Sequence, residues 1–99
     1  MKIIFEKKKI NKLISSLKQK NIKTVMCHGV FDILHYGHIL HFEEAKKMGN
    51  KLIVSVTSDQ YVKKAFNRPI FNLKVRMSTL ASLEMIDYVI PSYNKTAIE

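Results

Sequence analysis

Cysteine is almost missing from these 99 residues: Cys27 stands alone. An internal disulfide is therefore excluded, and the composition fits a reducing cytoplasm. No apolar run approaches the ~20 residues a membrane span needs. Met1–Phe5 is too short for a secretory signal and is closely followed by Lys7, Lys8 and Lys9. Zinc-finger spacings are lacking, and no basic stripe is interleaved with aromatics, so nucleic acid is disfavoured as a partner. Ser15, Ser16 and Cys27 have no convincing catalytic neighbour, which leaves no nucleophile–base pair. Acidic residues are scarce, 8 against 17 Lys and Arg, for a net charge of +9. Such an excess suits anionic partners: nucleotides, phosphorylated sugars, nucleic acid or acidic lipid. Most of the lysines are too dispersed, from Lys2 to Lys74, to be more than a solvated surface.

What is present reads as one small α/β domain over 1–99, without repeat, linker or low-complexity tract. Ile10, Leu13, Ile14 and Leu17 recur at helical spacing and predict a helix over Glu6–Lys20, stopped by Asn21. Ile22–Cys27 reads as a buried parallel strand, and Gly29–Asp32 as the turn after it. Tyr36–Met48 reads as a second helix, with Glu43 and Glu44 set to pair with Lys46 and Lys47. Lys51–Val56 reads as a second strand. A short helix capped by Ser58 or Asp59 follows, through about Phe66, and Asn67-Arg68-Pro69 breaks it. Asn72 caps a helix over Leu73–Ile86, with Val75, Leu80, Leu83 and Ile86 on its inner side. Tyr88–Ile90 is a third strand stopped by Pro91, and 92–99 is a loop and the first turn of something further. Met26, Met48, Met77 and Met85 read as core filling.

Strands alternating with helices call for a Rossmann-like, three-layer α/β/α arrangement on a parallel sheet. Ligands bind such sheets beyond the carboxyl ends of the strands. There lies Gly29-Val30-Phe31-Asp32-Ile33-Leu34-His35-Tyr36-Gly37-His38. His35 and His38 fall three apart where a helix begins, so both rings can reach one anion near its N-terminus. Two readings compete: a structural pair that caps the helix, or ligands of a phosphate. His41, three residues further, would suggest a metal cluster, but no Cys, Asp or Glu completes a tetrahedral set, so no metal site is expected. Asp32 reads as a helix-proximal cap or as a group that orients a histidine, the structural role being favoured, and His28 as a neighbour of the site.

Gly29-Val30-Phe31-Asp32 followed by His35-Tyr36-Gly37-His38 resembles the G-x-F-D and H-x-G-H motifs of the cytidylyltransferase-like nucleotidyltransferases. The chain is most similar to their sugar- and polyol-phosphate branch, which includes glycerol-3-phosphate cytidylyltransferases and the adenylyltransferase domain of ADP-heptose synthases. Val56-Thr57-Ser58-Asp59, Arg68-Pro69, Arg76 and Ile86-Asp87-Tyr88-Val89 are similar to further family positions, so the likeness covers about 22–95. It implies transfer of CMP or AMP from CTP or ATP, with Mg²⁺, to a sugar- or polyol-phosphate, releasing pyrophosphate. By the same resemblance His35 and His38 would be catalytic. Gly29, Val30, Phe31, Gly37, Thr57, Ser58, Asp59 and Arg76 would line the nucleotide, with Gly37 letting phosphate approach. Lys63, Lys64 and Arg68 would meet the acceptor phosphate or the leaving group. The family also carries a later strand–helix segment with a Ser/Thr-rich motif, which these residues do not supply. The chain is therefore expected to be C-terminally incomplete, and to form a homodimer or oligomer through an exposed first strand.

Overall fold

The computed structural model describes residues 2–62 and 71–92. Helices α1 (Lys7–Gln19), α2 (Tyr36–Lys47) and α3 (Leu73–Ala81) alternate with strands β1 (Thr24–Gly29), β2 (Lys51–Thr57) and β3 (Tyr88–Ser92). The strands make one parallel sheet in the order β1-β2-β3, with Gly29 opposite Val56 and Thr57 opposite Ser92. The expected Rossmann-like α/β architecture is the one observed.

The central strand explains the layering. Side chains of a strand alternate between faces. Leu52, Val54 and Val56 pack with Phe42, Ala45, Met77, Leu80, Ile86 and Val89 beneath α2 and α3. Ile53 and Ile90 pack with Leu17 of α1 on the opposite face. A strand covered on both sides reads as a nearly continuous apolar run, as 52–56 does with Ser55 the one polar residue. Asn21 ends the first helical segment in the left-handed region, φ 60°, which asparagine tolerates better than most residues.

Several expectations shift. β1 starts and ends two residues later than predicted, so Gly29 closes the strand rather than opening the turn. It is also no buried strand: residues 24–29 alternate between exposed and half-buried. α1 lies over β2 and β3, which leaves Met26 of β1 38% exposed. Among the described residues no strand flanks the outer edge of β1. Met48 is exposed too, and of the four methionines only Met77 is fully buried.

Pro91 continues β3 instead of stopping it. Val89 sends its N–H away from β2, to Lys2 O, so Pro91, two residues on, lacks a donor only on that outer side. Ile4 N–H also bonds Val89 O, at 3.1 Å, so residues 2–4 line the far edge of β3. The third helical segment ends at Ala81, five residues early. Ser82 Oγ bonds Thr79 O, and the Lys2 ammonium takes the carbonyls of Ala81 and Leu83, both at 2.8 Å. Those carbonyls are satisfied without further helix. The inner face of α3 carries Arg76, Met77 and Leu80, so Val75 is exposed rather than on that face. Of the predicted 59–66 helix, the described part is a single 3₁₀ turn, Asp59–Tyr61; the break at 67–69 lies outside the described residues.

Lys47 pairs with Glu44 as the spacing foretold, but Lys46 turns to Asp87 at the N-terminal end of β2. Asp87 Oδ2 also accepts from Leu52 N at 2.8 Å. Burial pushes the Asp87 carboxyl up, yet the bonds from Lys46 and Leu52 N–H and the charges of Lys46 and Lys51 together outweigh it and hold the group below its usual value. A depressed carboxyl stabilises the fold above its unfolded pKa and loses that contribution as pH falls through the folded one. Asp87→Asn is therefore expected to remove about 1 kcal/mol at neutral pH and to make the thermal midpoint less steep in acid below about pH 4. Unfolding scans from pH 7 to pH 3 check both.

Candidate functional site

In a parallel sheet all three strands end at one edge, and the turns there are bound to one another. Thr57 Oγ1 donates to Gly29 O at 3.2 Å, and Ser58 donates to Ser92 O through both N–H and Oγ, at 3.0 and 2.6 Å. Asp32 Oδ1 accepts from Phe71 N at 2.9 Å. The structural reading of Asp32 therefore stands, though as a long-range tether.

Phe31 occupies the left-handed region, φ 51°, a conformation that costs a non-glycine residue on the order of 1 kcal/mol. Packing holds it there. Its ring lies edge-on to His38 at 5.6 Å and tilted on Phe42 at 5.3 Å between centroids. Gly29 is required beneath it, since a Cβ there would come within 2.6 Å of Phe31 Cζ.

The two histidines form one unit. Gly37 N–H donates to His35 Nδ1 at 3.0 Å, and His35 N–H donates to His38 Nδ1 at 3.2 Å. This reciprocal cap satisfies donors at the start of α2. A ring nitrogen that accepts an N–H bond cannot itself hold a proton, so both rings carry theirs on Nε2. Their centroids are 4.1 Å apart at an interplanar angle of 38°. His35 is exposed and His38 half-buried. Burial lowers the His38 pKa, and repulsion from His35 and His41 adds to it. The pair therefore caps the helix and still holds two Nε2–H donors. The capping reading is thus observed, and it leaves the outer side of both rings open to a ligand.

Gly37 is explained by His35: a Cβ would meet that ring at 2.7 Å from Cε1 and 3.0 Å from Nδ1. In Gly37→Ala the helix gains alanine's propensity as it loses a cap bond, about 1 kcal/mol each. The thermal midpoint should therefore move little while His35 swings outward. Calorimetric melting checks the first expectation, and the resonances of the His35 ring check the second.

The remaining predicted residues divide sharply. Thr57 and Ser58 are buried, with hydroxyls engaged as above, and only Asp59 of that triplet is exposed. Arg76, expected beside the nucleotide, lies inside: its side chain is 0% exposed. Its Nε donates to Phe71 O at 2.9 Å, and Nη1 to Val30 O and Thr57 O, both at 2.8 Å. Nη2 meets Asp59 Oδ1. Lys63, Lys64 and Arg68 lie outside the described residues. His28 is exposed on β1, and His41 Nε2 sits 3.9 Å from Cys27 Sγ. Burial pushes the Cys27 thiol up, which disfavours thiolate chemistry. Among the described residues no three His, Cys, Asp or Glu side chains group to hold a metal ion.

A family model described as cytidylyltransferase-like matches residues 26–97. Among curated proteins, Bifunctional protein HldE of Blochmanniella pennsylvanica is 43% identical over 95 residues, 94% of this chain and 20% of its own length. Bifunctional protein HldE of Haemophilus influenzae is 43% identical over 90 residues, 89% of this chain and 19% of its own. The chain thus spans about a fifth of the length of the curated relatives it matches. Among solved structures, a lipopolysaccharide core biosynthesis protein from Thermoplasma volcanium superposes with a TM-score of 0.68 at 38% identity, covering 73% of this chain and 59% of that one.

Proposed function

The chain belongs to the cytidylyltransferase-like family, and from that premise we propose that it carries the nucleotide-phosphate half of a nucleotidyltransferase site, moving CMP or AMP from CTP or ATP to a sugar- or polyol-phosphate. The observation that carries this reading is the histidine pair, whose inner nitrogens are held by backbone N–H groups and whose outer nitrogens are left as donors. An acceptor phosphate oxygen attacks the α-phosphorus, the bond from that phosphorus to the bridging oxygen breaks, and pyrophosphate leaves with the electron pair. Such transfer depends chiefly on positioning and on neutralising charge. His35 and His38 supply Nε2–H bonds to the phosphate oxygens as charge builds. The acceptor phosphate is already anionic, so no general base is needed. Magnesium would enter as part of the NTP substrate and would neutralise charge on its triphosphate.

Support for the sugar-phosphate class comes from the structural neighbour, a lipopolysaccharide core biosynthesis protein of Thermoplasma volcanium that is 38% identical. The test is pyrophosphate release by the protein with each NTP and a panel of sugar phosphates, alongside calorimetry with ATP and CTP. Turnover with one NTP and one phosphorylated acceptor is the expected result. Binding without turnover under any acceptor would reassign the chain to a nucleotide-binding module.

A further inference from the structure

We propose that Arg76 is a positioning residue that locks the turn after β1 and the turn after β2 at a fixed separation, so that the histidine turn and the Asp59 rim meet a nucleotide as one preformed surface. The proposal deepens the nucleotidyltransferase reading and rests on it for the identity of the ligand.

The placement of Arg76 is unusual on sequence grounds. Leu73, Met77 and Leu80 form a helical core stripe, and Arg76 occupies the fourth place in it, fully buried beside Met77 and Leu80. Burying a cation is expensive, and apolar replacements of buried ion pairs are often neutral or stabilising. Stability alone therefore does not account for an arginine here. Its bonds do. The planar guanidinium reaches Val30 O behind the histidine turn, Thr57 O at the end of β2, Asp59 on the rim and, through Nε, Phe71 O. These four acceptors come from three separate stretches of chain, and a lysine has no rigid fork to span them. The phenylalanine peptide is held from its other side as well, since Asp32 takes Phe71 N–H. Asp59, 46% exposed, has its charge compensated from within, so a triphosphate at the rim does not meet a bare carboxylate.

Arg76→Met and Arg76→Lys, read by thermal unfolding, ATP and CTP calorimetry and steady-state kinetics, test the proposal. A folded variant is expected to bind nucleotide at least tenfold more weakly, with KM raised about tenfold and kcat changed less than threefold. Arg76→Lys should recover little of the loss. Unchanged affinity and KM in a folded variant would overturn the role. If neither variant folds, Asp59→Asn decides, because it alters an exposed group and leaves the core intact. Amide exchange at Phe31 and Ser58 should then quicken at least threefold in the free protein, and unchanged exchange would overturn the role. Wild-type protein that bound neither nucleotide would overturn the functional reading instead, and the exchange measurement would still decide the role of Arg76 in holding the two turns.

Discussion

His38→Ala is expected to lower the rate of pyrophosphate release by about 10²–10³-fold at saturating substrates, the usual effect of deleting one preorganised donor aimed at developing charge. The argument is geometric. His38 Nδ1 is fixed by His35 N–H at 3.2 Å, and its ring is wedged edge-on against Phe31. Its Nε2–H is therefore aimed before any ligand arrives, and aim of this kind needs no reorganisation during reaction. On the proposed function the loss should fall on kcat more than on KM, since the bond would strengthen as the α-phosphate gains charge. The unfolding midpoint should drop only by the value of one cap, about 1 kcal/mol.

Acid gives a second check on the same group. The folded pKa of His38 lies below the ordinary value of 6.5. The cap therefore contributes fully above that value, and its contribution is lost as pH falls through the folded pKa. His38→Ala should flatten that part of the stability profile. Unchanged turnover in a folded His38→Ala protein would remove the ring from the chemistry.

Phe42→Ala should have the largest effect on stability, about 3–5 kcal/mol. For a domain of this size each kcal/mol moves the midpoint by roughly 4–8 °C, so the fall should be on the order of 10–40 °C, read by calorimetric or circular-dichroism melting. Phe42 is 0% exposed and sits where α2 meets β2 and α3. Its ring also supports Phe31, 5.3 Å away, which sits in an unfavourable backbone region. Truncation would leave a cavity beneath the turn and free that residue to relax. A fall of under ~5 °C would show that the helix–sheet layer repacks around the void.

Much of this was visible beforehand, and the reasons differ by element. α1 and α2 announced themselves because a helix with one buried stripe writes that stripe at a fixed period. β2 did so because a central parallel strand is apolar throughout. β1 misled because its composition resembles β2, while its exposure depends on which strand lies beside it, and that is a long-range property. α3 misled in another way. Its true inner stripe includes Arg76, and an apolar-only search took Val75 instead. The signal was available: 73, 76, 77 and 80 share helical spacing, with one cation among three apolar residues. The histidine pair was found from its spacing at a helix start. Its reciprocal bonding to the backbone, and hence the outward protons, required coordinates. So did the tethers from Asp32 to Phe71 and from Ser58 to Ser92, which join residues 39 and 34 apart in sequence and have no local signature.

Among the described residues, Lys2, Ile3 and Ile4 run beside β3, whereas no strand runs beside the outer edge of β1. A further strand added in parallel at that open edge would lie next to Thr24–Gly29. Its far end would then emerge alongside Val30 and Phe31, within reach of whatever rests on the histidines. Widening the sheet and walling in the ligand would thus be a single event.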